Sequence, residues 1–185
     1  MKLPSLKCKP ETVVSKDKSR PVLTHLYLRI TEGESIGSLQ ATDSYKAVRI
    51  PVEVGKDDTE GFVSPDVYKA ARKVTPKTAG GVEFEVNGGY TLADGTTHPR
   101  EFQGTWPKLD EIMDVPASTF TVGLNARFLF DLAQAFGSDT VKITFTAGRG
   151  GSDPDPLRPM KVEPIDGDLK GSSADGILMP VRVAS

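Results

Sequence analysis

Few side chains in this sequence have the type and spacing that chemistry requires. His25 and His98 are the only two imidazoles. General acid–base catalysis needs a histidine oriented by a second polar group and facing a reacting atom. Neither histidine has such partners nearby in sequence. His25 falls in an alternating stretch and His98 in a hairpin flanked by Gly and Pro, so a surface or interface role is expected for both. The single cysteine, Cys8, excludes an internal disulfide and a multi-cysteine zinc site. Lys7 and Lys9 beside it would favour a thiolate, but an inert strand cysteine is the expected reading. Asp166, Asp168, Gly171 and Asp175 follow a calcium loop only superficially. That loop needs Asp or Asn at its fifth position and Glu at its twelfth, where this chain has Lys170 and Ile177. A solvated loop is expected there, as it is at Asp153 and Asp155. No GxSxG, P-loop, HExxH or GxGxxG pattern is present. The sequence therefore predicts no catalytic residue, no cofactor and no metal.

What remains is binding chemistry. Lys69, Arg72 and Lys73 share one face of a predicted helix and could contact the phosphates of double-stranded DNA without regard to sequence. Most faces of this kind are merely solvated. A second predicted helix offers only Arg127, offset by Asp131.

The elements that must carry these residues are short. The chain has 185 residues, 37% hydrophobic and 26% charged, an ordinary globular composition. Its net charge of −2 excludes a surface that is basic throughout, though not a local basic stripe. No run approaches the roughly 20 apolar residues of a membrane span, and Met1–Lys7 lacks the apolar core of a secretion signal. A cytoplasmic protein without membrane contact is expected. Residues 1–20 read as mostly polar, with a loop at Lys16–Pro21. Val22–Ile30 alternates, with His25, Tyr27 and Arg29 on one face. Ile36–Val54 follows beyond a turn containing Gly33 and should pair antiparallel with it. A helix is predicted after Ser64, which caps it, with Pro65 in its first position. Val67, Ala70, Ala71 and Val74 form its apolar stripe. Strands are expected at Val82–Val86, about Tyr90–Leu92 and about Arg100–Gln103, with a hairpin turn at Asn87–Gly89. Residues 104–118 read as a connector. A strand at Phe120 and Val122 leads to a second helix, capped by Asn125, buried through Leu129, Leu132, Ala133 and Phe136, and ended by Gly137. Strands follow at Val141–Phe145, at Met160–Val162 and at Ile177–Val183, the last an edge strand because it contains Pro180. A unit of strand, helix and antiparallel strands thus appears twice, starting near Phe62 and near Phe120, with a helix-poor segment before both.

Separated segments of the chain resemble one family. Leu39-Gln40-Ala41-Thr42-Asp43-Ser44-Tyr45-Lys46-Ala47-Val48 is similar to the ATDG(H/Y)RLA strand-turn of bacterial sliding clamps, the DNA polymerase III beta subunits. Trp106-Pro107-Lys108-Leu109-Asp110-Glu111-Ile112 resembles the FPDY connector of those clamps, and Ile177-Leu178-Met179-Pro180-Val181-Arg182-Val183 resembles their terminal VMPMRL. Asn125–Leu132 resembles their NxxYLxDxL helix. The resemblance implies an α+β, DNA-clamp-like fold with antiparallel sheets backing two helices. It implies a middle-domain-like part over residues 1–116 and a shortened C-terminal-domain-like part over 117–185. It also implies a processivity factor without enzymatic activity. Such a protein would be homo-oligomeric, with its helices towards DNA, and would tether DNA polymerase or repair proteins by short hydrophobic peptides. Carried over by position, the peptide pocket would comprise Thr42, Ser44, Tyr45, Lys46, Ala47, Pro107, Ile112, Ile177, Met179, Pro180, Val181 and Arg182. Its Met and scarce polar anchors would suit varied peptides. The compact length would suit a phage or mobile element. The alternative is a clamp-fold module or decoy that binds such peptides without encircling DNA. Ser44 stands where the family has glycine, so the turn should differ if that glycine has positive φ.

Overall fold

A computed structural model describes residues 1–31, 33–113, 122–145, 158–167 and 174–181. The chain divides into two compact units, Met1–Asp114 and Val115–Ser185.

The first unit is built on a four-stranded antiparallel sheet in the order β3-β2-β1-β4, comprising β1 (Leu26–Arg29), β2 (Ile36–Thr42), β3 (Ala47–Glu53) and β4 (Gly61–Val63). Alternation along these strands sends Leu26, Leu28, Leu39, Ala41 and Val63 into the core, all with no accessible surface. Burying one such Leu contributes about 1.5–3 kcal/mol. Against this core lies α1 (Pro65–Val74), and its start is as expected. The Ser64 side chain accepts from the backbone N–H of Asp66, and Pro65 occupies the first turn. Val67, Tyr68 and Ala71 are its buried residues, with Ala70 and Val74 packed partly against the same core. A three-stranded antiparallel sheet, β5 (Phe84–Val86), β6 (Gly89–Leu92) and β7 (Thr97–Pro99), completes the unit. The expected Asn87–Gly89 turn joins its first two strands, with Gly88 at φ +63°.

The second unit places α3 (Ala126–Phe136) beside a three-stranded sheet in the order β10-β9-β8, from β8 (Val141–Thr144), β9 (Met160–Pro164) and β10 (Gly176–Leu178). Asn125 accepts from the backbone N–H of Arg127, and Gly137 ends the helix in the left-handed conformation, as the sequence predicts. Phe136, Met160, Val162 and Leu178 form a small core, with Leu129 and Leu132 packed on it.

Several expectations are corrected. Pro21–Thr24 is a 3-10 turn, so β1 begins only at Leu26 and His25 precedes it. Pro21 fixes φ and has no N–H to give a ladder, which favours the turn. The third strand of the second sheet is Thr97–Pro99 rather than 100–103, because the turn ends at Gly95 and pairing with β6 starts at once. The connector contains a five-residue helix, α2 (Leu109–Met113). The last strand stops at Leu178; beyond it Val181 makes one isolated bridge to Gly123. Cys8 is not in a strand but follows a turn closed by its own N–H on the Ser5 carbonyl. The expected strand residue Phe120 and most of the 147–159 loop lie outside the described residues, as does part of the 164–176 loop.

The polar-looking N-terminal segment is a structural part of the first unit. Leu3 is wholly buried, its N–H donates to the Val82 carbonyl (2.9 Å), and the Lys2 N–H donates to the Glu53 carbonyl (2.7 Å). The segment thus bridges the edge of β3 to the second sheet. Gly81 permits this passage, since a Cβ there would stand 1.7 Å from the Leu3 carbonyl oxygen. Leu3→Ala should therefore lower the unfolding free energy by about 2–4 kcal/mol, as for a central core leucine. The exposed Lys7→Ala should change it by less than about 0.5 kcal/mol. Urea midpoints measure both.

Candidate functional site

The outer face of the first sheet is covered by the connector rather than left to solvent. Register places Tyr27 opposite Gln40 and Gln40 opposite Arg49 across β1, β2 and β3. These side chains share the face away from the core with Arg29 and Thr42. The connector lies on them through two kinds of contact.

The first is aromatic. Trp106 stacks on Tyr27 (centroids 5.2 Å, planes 6° apart), and Phe102 stacks on His25 (4.1 Å, 12°). Phe62 of β4 presents its ring edge-on to all four. His25 is thus a packing residue, its Nδ1 lying 3.1 Å from the Pro21 carbonyl. The Tyr27 hydroxyl donates to Glu60 (2.7 Å), and desolvation, helped by that carboxylate, pushes its pKa up to about 12.

The second is a polar network centred on Gln40, which has no accessible surface. Its amide oxygen accepts from the Trp106 indole N–H (2.8 Å), and its amide nitrogen donates to Asp110 (2.9 Å). Asp110 also takes Arg29 Nε and Arg49 Nη1, each at 3.0 Å. One glutamine therefore ties both ends of the Trp106–Asp110 segment to β2. An unpaired amide buried at this point would cost about 1–3 kcal/mol.

Fixing Trp106 and Asp110 fixes Pro107, Leu109 and Ile112 between and beside them. These three face the β2–β3 hairpin and enclose a cavity of about 380 Å³. Its walls are Leu23, Thr42, Ser44, Tyr45, Lys46, Ala47, Pro107, Leu109 and Ile112. Every expected pocket residue of the first unit is among them. Leu23 and Leu109 line it as well, although Leu23 lies in the stretch expected to be a strand and Leu109 in the connector, neither with a signal of what it packs against. Ile177, Met179 and Val181 belong to the second unit, where all three are exposed, and Pro180 beside them is half-buried. Arg182 lies outside the described residues.

The hairpin that supplies the cavity's lip is tightly bonded. Asp43 Oδ1 accepts from the backbone N–H groups of Tyr45 (2.9 Å) and Lys46 (3.0 Å), and the Thr42 hydroxyl donates to the Lys46 carbonyl (2.9 Å). The two backbone bonds, helped by Lys46, hold the Asp43 carboxyl below its usual range. Ser44 has φ +80°, and among the described residues no other non-glycine has positive φ. Serine adopts this left-handed geometry at a cost of roughly 1–2 kcal/mol. Tyr45 projects from the tip, 97% exposed.

The expected DNA-contacting residues are mostly engaged. Arg72 pairs with the buried Glu11 at 2.6 Å, Lys69 with Asp66 at 3.2 Å, and Arg127 with Asp131 at 3.4 Å. Lys73 is exposed on α1. The acidic loop also has other duties. Asp166 bonds Ser138, which with Thr140 holds its carboxyl below the usual range, and Asp175 pairs with Lys161 at 3.3 Å. Asp153, Asp155, Asp168 and Gly171 lie outside the described residues. Among the described residues no group of three His, Cys, Asp or Glu side chains is placed to hold a metal, and no helix is long and apolar enough to cross a membrane.

Solved structures with the same fold are bacterial sliding clamps. The DNA polymerase sliding clamp from Bacillus subtilis matches 97% of this chain and 48% of its own, at 13% identity and a TM-score of 0.66. The beta subunit from DNA polymerase of Streptococcus pyogenes matches 99% of this chain and 65% of its own, at 15% identity and 0.58. The DNA polymerase III beta chain from Streptococcus pneumoniae matches 95% of this chain and 61% of its own, at 16% identity and 0.55. No family model and no curated protein matches the sequence. The α+β fold is thus that of the bacterial clamps, in a chain spanning about half to two-thirds the length of these relatives.

Gln40→Leu should lower stability by about 1–3 kcal/mol. It should also red-shift the emission of Trp106, the one tryptophan, as the connector lifts from the sheet. Unchanged emission would show that Gln40 does not hold it. Ser44→Gly should raise stability by about 0.5 kcal/mol, the strain relieved less the entropy of glycine. Ser44→Val should lower it by more than about 1 kcal/mol. Denaturant titration distinguishes the two.

Proposed function

We propose that the chain is a sliding-clamp-like processivity factor, which tethers a DNA polymerase or repair protein to DNA by gripping a short hydrophobic peptide of that partner. The observation that carries this reading is the cavity between the β2–β3 hairpin and the Trp106–Ile112 connector, set on a clamp fold. Its walls are mainly apolar, its lip is exposed, and its size suits one or two large side chains of a peptide. Such a protein makes and breaks no bonds. Holding the polymerase beside DNA raises its effective concentration at the primer end. Residues 1–116 correspond to a clamp middle domain and 117–185 to a shortened C-terminal domain. Ile177, Met179, Pro180, Val181 and Arg182 contribute to peptide binding on this reading. Encirclement of non-specific double-stranded DNA requires several copies of the chain in a closed ring, in the cytoplasm of a host cell or during phage replication.

The engaged cations of α1 and α3 favour a second reading, a clamp-fold module or decoy that binds the same peptides without encircling DNA. The mass of the assembly, with and without primed circular DNA, separates the two. Capture on the circle as an oligomer supports the ring, and a monomer indifferent to DNA supports the module.

Peptide binding itself is tested by anisotropy with a labelled hydrophobic segment from a clamp-binding polymerase. Ile112→Asp and Ala47→Glu both change exposed residues of the cavity wall. Each should weaken binding at least about tenfold by placing a charge against an apolar anchor, with the unfolding midpoint almost unchanged. Equal binding by wild type and both variants would remove the cavity from the function.

A further inference from the structure

We propose that the partner peptide carries acidic residues beside its apolar anchor, read by the cationic loop Lys16–Arg20 at the mouth of the cavity. The inference rests on the cavity being a peptide site and adds the charge of the ligand. The chain as a whole is acidic, with a net charge of −2. The loop at this mouth has the opposite sign. Arg20 Nη1 donates to the Ser44 hydroxyl (3.1 Å), on a residue that lines the cavity. The loop is closed by the Ser15 N–H on the Leu23 carbonyl (2.8 Å) and by the Leu23 N–H on the Arg20 carbonyl (3.0 Å). Leu23 is itself a cavity wall, so the loop is anchored at both its ends to the site. Consecutive Cα atoms are about 3.8 Å apart, which keeps Lys18 within about 8 Å and Lys16 within about 15 Å of Arg20. All three are exposed.

The nearby carboxylates leave this charge standing. Asp17 accepts from the Ser19 N–H (2.9 Å), which with the Ser19 hydroxyl holds its carboxyl below the usual range, so it stays ionised as a single counter-charge among three cations. Asp43 is taken up by its own turn and by Lys46 (3.2 Å), and Glu111 by Lys108 (2.9 Å). An acidic flank on a seated peptide would meet uncompensated positive charge. A neutral flank would gain nothing. The adjoining apolar cavity favours a peptide over the phosphates of a nucleic acid as the source of negative charge.

The test uses the full chain and two labelled peptides with the same Leu- and Phe-containing anchor, one flanked by Asp and Glu, the other by Asn and Gln. At about 50 mM salt the acidic peptide should bind at least about fivefold tighter, and at about 500 mM the two should converge. Lys16→Glu/Lys18→Glu should abolish the preference without changing affinity for the neutral peptide. Equal binding of both peptides at low salt overturns the inference and leaves the cavity as a peptide site. Failure of both peptides to bind overturns the peptide site itself. Displacement of the acidic flank, but not of the neutral peptide, by an equimolar DNA duplex would reassign the loop to phosphates.

Discussion

The site depends on one buried glutamine. Gln40 sits in the middle of β2 with both ends of its amide engaged, one by the Trp106 indole and one by Asp110. A strand offers only backbone bonds to its neighbours, so a connector crossing its face needs side-chain partners or it lifts into water. Here one side chain supplies a donor and an acceptor at once, and Arg29 and Arg49 complete the carboxylate's neutralisation. Desolvation makes the arrangement demanding, because each group is costly if left alone. That demand gives the connector a single register on the sheet, and the cavity walls Pro107, Leu109 and Ile112 inherit it.

What the sequence discloses depends on how far apart the cooperating residues lie. The caps Ser64 and Asn125 were legible because capping is completed within three residues. Most strands of the three sheets were legible by alternation, apart from their ends, but β7, short and without an apolar alternation, was not. The pairing of Glu11 with Arg72 was not, because a 3-10 turn and four strands separate them and neither residue type is diagnostic. Leu3 was hidden by polar neighbours, and Gln40 by looking like any strand glutamine. The cavity's hairpin and connector were recognised through resemblance to the clamps, while its leucines, Leu23 and Leu109, were missed because apolar residues signal burial and not what they are buried against. The left-handed Ser44 shows the converse case: a backbone geometry that the residue type does not announce, since serine rarely adopts positive φ.

The charges of the helices show how folding changes the reading of a basic helix face. A helix with three basic residues on one face suggests a phosphate-binding surface when read alone. In the folded unit Arg72 turns inward to a carboxylate from the N-terminal segment, and Lys69 is held within its own helix. Electrostatic attraction to a polyanion is weakened accordingly.

The tip of the β2–β3 hairpin has a consequence for diversification. Its shape is maintained by Thr42, by the Asp43 carboxylate and by main-chain groups, while the side chains of Tyr45, Lys46 and Ala47 stand outside the core. Three successive positions of the cavity wall thereby contribute no side chain to the core. Mutation can explore them at little thermodynamic risk, so the chemistry of the cavity's lip is free to change while the architecture that displays it stays the same.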